Sequence, residues 1–254
     1  MRLTSFTSIL DRPVSAMEVT CSAPGKVILF GEHAVVYGTT AVAASISSCR
    51  MFSRIRCIEE AALDIHLHDF IKTNQIDPVR INLTELISLR SKPGSLLAPI
   101  NPSESDLQIL KSHITFPKPE IADGIYAICF LVSQIFPRLI RKEEKAGIAL
   151  PFAGFRIDIH SHQLPIGAGL GSSAAFSVAI CGALLRLKAQ TSDELSSIVE
   201  ESEPAAWSSD GMASTAPSSA FTDLINKWAF GNGTSVDSTS LLHTVYCYFT
   251  PTVN

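Results

Sequence analysis

Between residues 155 and 160 the chain alternates strictly, with Phe155, Ile157 and Ile159 on one side and Arg156, Asp158 and His160 on the other. That period of two predicts a half-buried strand. A looser alternation over Cys49 to Ile58 predicts another. Earlier, a strand-like stretch from Val19 meets Pro24-Gly25, and the apolar run Val27 to Phe30 ends at Gly31, as expected of two short strands joined by a turn. Val35 to Tyr37, Gly38 and then Ala41 to Ile46 predict a further turn and strand.

Residues 59–118 are cut by Pro78, Pro93, Pro99, Pro102 and Pro117, which predicts loops with one short helix near Leu83 to Leu89. Gly124 to Leu139 is apolar enough for a packed helix, closed by the charged turn Arg141 to Lys145. Ser172 to Leu187 is apolar on nearly all sides and predicts a buried helix. Thr191 to Ala220 is serine-rich and predicts an exposed, mobile connection before a helix at Phe221 to Phe230. The last fifteen residues suit one strand. These elements divide the chain into an extension at 1–17, a main domain at 18–230 and a tail at 231–254.

Composition narrows the functional classes. With 46% hydrophobic and 17% charged residues in 254, the chain has the make-up of a globular protein with one large or two small cores. Lys and Arg number 20 against 24 Asp and Glu, a net charge of -4 that gives no bulk attraction to nucleic acid or to an anionic membrane. The longest apolar run, Ile125 to Phe136, is shorter than the roughly 18 residues a membrane span needs, so none is expected. The start lacks a continuous apolar segment and is read as a frayed extension of a cytoplasmic protein, although its basic, hydroxyl-rich character also permits a transit peptide. Six scattered cysteines without a CxxC pair suggest reduced thiols and no zinc site.

Candidate chemistry is concentrated in two segments. In Leu164-Pro-Ile-Gly-Ala-Gly-Leu-Gly-Ser-Ser-Ala-Ala175, glycines alternate with small residues and two serines open a helix. Glycines let backbone N–H groups turn inward and approach an anion, and the helix N-terminus adds its positive dipole end. The segment lacks the Lys of a GxxxxGK[ST] loop and is unlike GxGxxG. The second segment, Ser22 to Gly38, places Lys26, Glu32 and His33 among glycines and apolar strand residues. Alone, Lys26 reads as a strand cation with a snorkelling stem and His33 as a polar turn residue. Beside an anion-binding loop, both read as site residues.

These motifs resemble the GHMP kinases, and within that family the mevalonate kinases. PGKVILFGEHAVVYG is similar to the family's first motif, LPIGAGLGSSAA to its ATP-binding motif, and Ile225-Asn-Lys-Trp-Ala-Phe230 to a third stretch. The resemblance implies an α+β fold, a two-layer GHMP kinase N-terminal domain of ribosomal-S5-like type. It further implies ATP and Mg²⁺ as cosubstrates, mevalonate as acceptor, 5-phosphomevalonate as product, and a homodimer among the assemblies allowed. Carried over, Gly167, Ala168, Gly169, Leu170, Gly171, Ser172 and Ser173 would hold the ATP phosphates. Ser173 would also help bind Mg²⁺, Lys26 would contact ATP and act in catalysis, Glu32 and His33 would shape the substrate pocket, and Asp237 would be the catalytic carboxylate. After Phe230 the sequence passes at once to Gly231-Asn-Gly-Thr-Ser-Val-Asp237, without the segment in which the family carries a metal-binding Glu. The corresponding expectation is a chain with its C-terminal domain missing, and the alternative function is an inactive nucleotide- or partner-binding product.

Overall fold

The computed structural model describes residues 17–31, 33, 37, 42–69, 77–89, 97, 103–114, 119–136, 153–190, 195, 203–204, 214–216, 219–230 and 246–248. Its backbone is a long antiparallel ladder between β1 (Glu18–Phe30) and β2 (Val42–Ile58). Period-two side chains set the faces of this ladder: Val19, Cys21 and Ala23 on β1 and Met51, Ile55 and Cys57 on β2 are buried. Strand β5 (Gly154–His162) pairs antiparallel with β2 and buries Phe155, Ile157 and Ile159, as its alternation predicts. Next comes β3 (Ala62–Leu67), parallel to β5, and then β4 (Val79–Asn82), antiparallel to β3.

On the other side of β1 the sheet continues through β8 (Tyr246–Tyr248), β7 (Ser214–Ala216) and β6 (Glu203–Pro204), giving the order β4-β3-β5-β2-β1-β8-β7-β6 among the described residues. The helices are α1 (Leu83–Ser88), α2 (Glu104–His113), α3 (Pro119–Ile135), α4 (Ser172–Ala189) and α5 (Ser219–Phe230). The architecture is α+β, as expected. Helix α4 forms the centre of the core, against β1, β2, α3 and α5. By length and composition it could cross a membrane, a property that a search for unbroken apolar runs passes over. Here Val178 to Leu185 are buried within the protein.

Several elements differ from the sequence reading. Pro24-Gly25 does not separate two strands: β1 runs through it, and the ladder absorbs the irregularity as a register shift between Pro24 and Gly25. Likewise Val42 to Ile58 is one strand. Within 59–118, β3, β4 and α2 were not anticipated. Leu63, Ile65 and Leu67 do alternate with polar residues, but over too few positions to stand out beside the prolines. Helix α2 carries a capping box, in which Ser103 accepts from the Asp106 N–H while the Asp106 carboxylate accepts from the Ser103 N–H. Helix α3 starts earlier than expected, with Pro119 in its first turn, where a missing N–H costs nothing.

The thiols of Cys49, Cys57, Cys129 and Cys181 are free, and burial pushes Cys57 and Cys129 up to about 12 and raises Cys181 as well. Cys57, Cys129 and Cys181 stay protonated at neutral pH and act as apolar packing. Cys21 departs from the expectation of reduced thiols: it is disulfide-bonded, and the β1–β8 register sets it opposite Cys247.

The face of β5 that turns away from Phe155, Ile157 and Ile159 holds a charge network centred on Asp158. Arg56 donates to its Oδ2 at 2.6 Å, Arg156 to the same oxygen at 3.2 Å, and His68 Nε2 lies 2.9 Å from Oδ1. Arg56 and Arg156 face each other in register, so the carboxylate relieves a like-charge pair. Burial alone would raise the Asp158 carboxyl, but hydrogen bonds from Arg56, His68 and Arg156 outweigh it and hold the group at about 2. A depressed carboxyl stabilises the fold above its unfolded value, and that contribution is lost as pH falls from about 4 through about 2. Asp158→Asn is therefore expected to cost about 1–3 kcal/mol at pH 7 in urea unfolding, with the gap closing toward pH 2. A gap that stays constant across that range would contradict this account.

Candidate active site

The glycine loop begins where β5 ends at His162. Gln163 takes a positive φ of 52°, Leu164 is buried, and the chain then passes through Gly167 (φ 79°), Gly169 (φ 77°) and Gly171 (φ 71°). Left-handed glycines at alternate positions are what a backbone nest needs to turn successive N–H groups toward an anion. Gly171 is also the N-cap of α4, and no side chain caps the helix there. Its first turn carries no acidic residue. The early N–H groups of α4 thus have neither an intrahelical acceptor nor a side-chain cap, and they form the positive end of the helix dipole. Gly167 to Gly169 and Ser173 are exposed, so a ligand can reach them.

Strand β1 runs directly beside this loop. The Lys26 N–H donates to the Leu170 carbonyl at 2.9 Å. One residue earlier, a Cβ on Gly25 would lie 2.7 Å from Leu164 Cδ1 and 3.0 Å from the Leu170 carbonyl oxygen, so a side chain there would push on Leu164 and crowd the Leu170 carbonyl. A Cβ on Gly171 would lie 2.7 Å from Lys26 Cγ, which places the lysine stem against the start of α4.

The structure therefore brings together Lys26 and Gly167, Ala168, Gly169, Leu170, Gly171, Ser172 and Ser173, the residues singled out as one site. His33 lies in an exposed turn beyond the end of β1. Glu32 and Asp237 fall outside the described residues. Sequence reasoning missed Arg50, whose guanidinium binds Ser22 a few residues before Lys26. A single arginine in an alternating strand gives no signal of such a role.

Residues 131–235 match the family described as the GHMP kinases N terminal domain. The chain contains a GHMP kinase N-terminal domain. The glycine loop and the first turn of α4 lie inside the matched residues. Among curated proteins, the mevalonate kinase of Bos taurus is 30% identical over 85% of this chain and 50% of its own length. That of Arabidopsis thaliana is 33% identical over 84% of this chain and 50% of its own. The chain thus spans about half the length of the curated relatives it matches. Among solved structures, Methanococcus jannaschii mevalonate kinase aligns at 21% identity with a TM-score of 0.47, covering 90% of this chain and 52% of that one.

The glycines of this GHMP domain differ in what a side chain would meet. At Gly169 an added Cβ has nothing within 4 Å, whereas at Gly171 it strikes the lysine stem. Gly169→Ala should therefore cost only the backbone penalty of a left-handed residue, roughly 1–2 kcal/mol. Gly171→Ala should cost more, because Lys26 must also move. Urea unfolding of the two variants checks this, and equal losses would show that the lysine stem yields freely.

Proposed function

We propose that the chain is the ATP-binding part of a mevalonate kinase, in which the terminal phosphoryl group of ATP passes to the hydroxyl of mevalonate, yielding 5-phosphomevalonate and ADP. The observation that carries the reading is the convergence of left-handed glycines, an uncapped helix N-terminus and the Lys26 stem at one point. Such a site suits a polyphosphate: several N–H donors, a dipole end and one cation, with no acidic residue in the helix's first turn to repel it. The curated mevalonate kinases at 30% and 33% identity support the acceptor.

The donor set also fits a magnesium–nucleotide complex. Mg²⁺ keeps several waters and takes few protein ligands besides phosphate oxygens. The Ser173 hydroxyl, in the first turn of α4 and exposed, is the proposed protein ligand. When bound, that complex supplies the phosphoryl group and neutralises part of its charge.

The protein's own contribution is then positioning and electrostatics, the main source of catalysis in phosphoryl transfer. Backbone N–H groups from Gly167 to Ser173 hold the phosphates in register. Lys26, fixed beside Gly171, sets a positive charge where negative charge builds on the transferring group. Glu32 and His33 orient the acceptor, and Asp237 accepts the proton of its hydroxyl.

Calorimetry with ATP and Mg²⁺ tests the loop, and release of ADP on addition of mevalonate tests the reaction. Nucleotide binding without turnover would favour the alternative of an inactive binding product, and no binding would reject the reading. In a polypeptide spanning the length of the relatives, Lys26→Met is expected to lower kcat by about a hundredfold or more while weakening ATP binding by less than about tenfold. An unchanged kcat would reduce Lys26 to a structural role.

A further inference from the structure

We infer that Arg50 is the positioning residue that holds Lys26 against the glycine loop. Arg50 lies in β2 and is only 7% exposed. Its Nε donates to Ser22 Oγ and its Nη2 to the Ser22 carbonyl, both at 3.0 Å. Arginine is rarely so buried unless its donors are engaged. A rigid guanidinium fork that takes the hydroxyl and the carbonyl of one residue fixes both the side chain and the backbone there.

The place where this happens gives it consequence. The β1–β2 ladder pairs Pro24 with Arg50 and then Gly25 with Ile46, so residues 47–49 of β2 stand outside the regular pairing. Pro24 has no N–H to contribute to the ladder. The strand is therefore weakly held by its own backbone just before it reaches Lys26, and the Arg50–Ser22 fork holds it from the side-chain level instead. Arg50 is also in register with His162 on β5. His162 is the last residue of β5, after which the chain turns through Gln163 and Leu164 into the glycine loop. One residue thus stands between the two strands that deliver the two halves of the site, and it acts through the backbone of Ser22.

The geometric part of this inference stands on the hydrogen bonds and register, while its effect on nucleotide rests on the ATP reading above. Amide hydrogen exchange on the 254-residue chain reads the geometry. In Arg50→Met, the Lys26 amide, which donates to Leu170, is expected to exchange about tenfold faster or more, while the amides of Val19 and Ile55 keep their protection. Arg50→Lys should recover part of the protection. For nucleotide, Arg50→Met should weaken ATP binding in the presence of Mg²⁺ by about fivefold or more, and Lys26→Met added to it should cost little further, because both act on one group.

Wild-type protection of the Lys26 amide in Arg50→Met would overturn the inference. So would uniform acceleration at Lys26, Val19 and Ile55, which marks a merely structural residue, or losses of ATP affinity that multiply in the double variant. Should Arg50→Met fail to fold, Ser22→Ala and Arg50→Lys carry the same comparison with smaller changes. Should the wild-type chain not bind ATP, the functional reading fails and the Lys26 amide alone decides the positioning claim.

Discussion

The hydrogen bond from the Lys26 N–H to the Leu170 carbonyl joins the first strand to the loop that follows β5, and much of the local sequence is explained by the need to make it. The close approach of the two backbones favours glycine at residue 25, because Leu164 and the Leu170 carbonyl crowd the space a side chain would need. It favours glycine at residue 171 as well, because the lysine stem lies there. Gly171 also needs its left-handed backbone angle to start α4. Two requirements with different physical origins, one steric and one conformational, thus fall on a single position.

Helix α4 gives the site its rigidity. Its first turn exposes Ser173 and is the end proposed to face the anion, while residues from Val178 to Leu187 are almost entirely buried. A binding site built on the end of the central core helix inherits the stiffness of the core. The absence of a side-chain cap at Gly171 leaves N–H groups unsatisfied within the helix itself. A capping serine or aspartate would stabilise the helix and compete with a ligand for the same donors.

The parts of this structure that were legible in the sequence are those set by local periodicity and backbone chemistry. Phe155, Ile157 and Ile159 announced β5, the apolar stretch after Ser172 announced α4, and the glycines announced the loop. What could not be read depends on partners distant in sequence. Pro24-Gly25 looks like a break between strands because its compensation is a register shift on β2, which no local pattern reveals. Asp158 reads as an ordinary outward residue of an alternating strand, yet it is buried beneath Arg56, Arg156 and His68, which come from β2, β5 and the residue just after β3. Arg50 was invisible for the same reason. The short β3 and the capped α2 were legible in principle, through three alternating apolar positions and a Ser103–Asp106 box, but the prolines around them masked both signals.

Strand order also governs how this chain must assemble in time. The first strand ends up in the interior of the sheet, flanked by β2, which follows it closely, and by β8, which lies more than 200 residues later in the sequence. During synthesis the β2 side of β1 can pair early, whereas the other side lacks its β8 partner until Tyr246–Tyr248 have emerged. An apolar strand with an open edge is a template for pairing with other chains, and non-local pairing of this kind slows folding. The β1 edge that β8 finally covers is therefore the surface on which a nascent chain is most exposed to aggregation, and the one a chaperone would have most reason to shield.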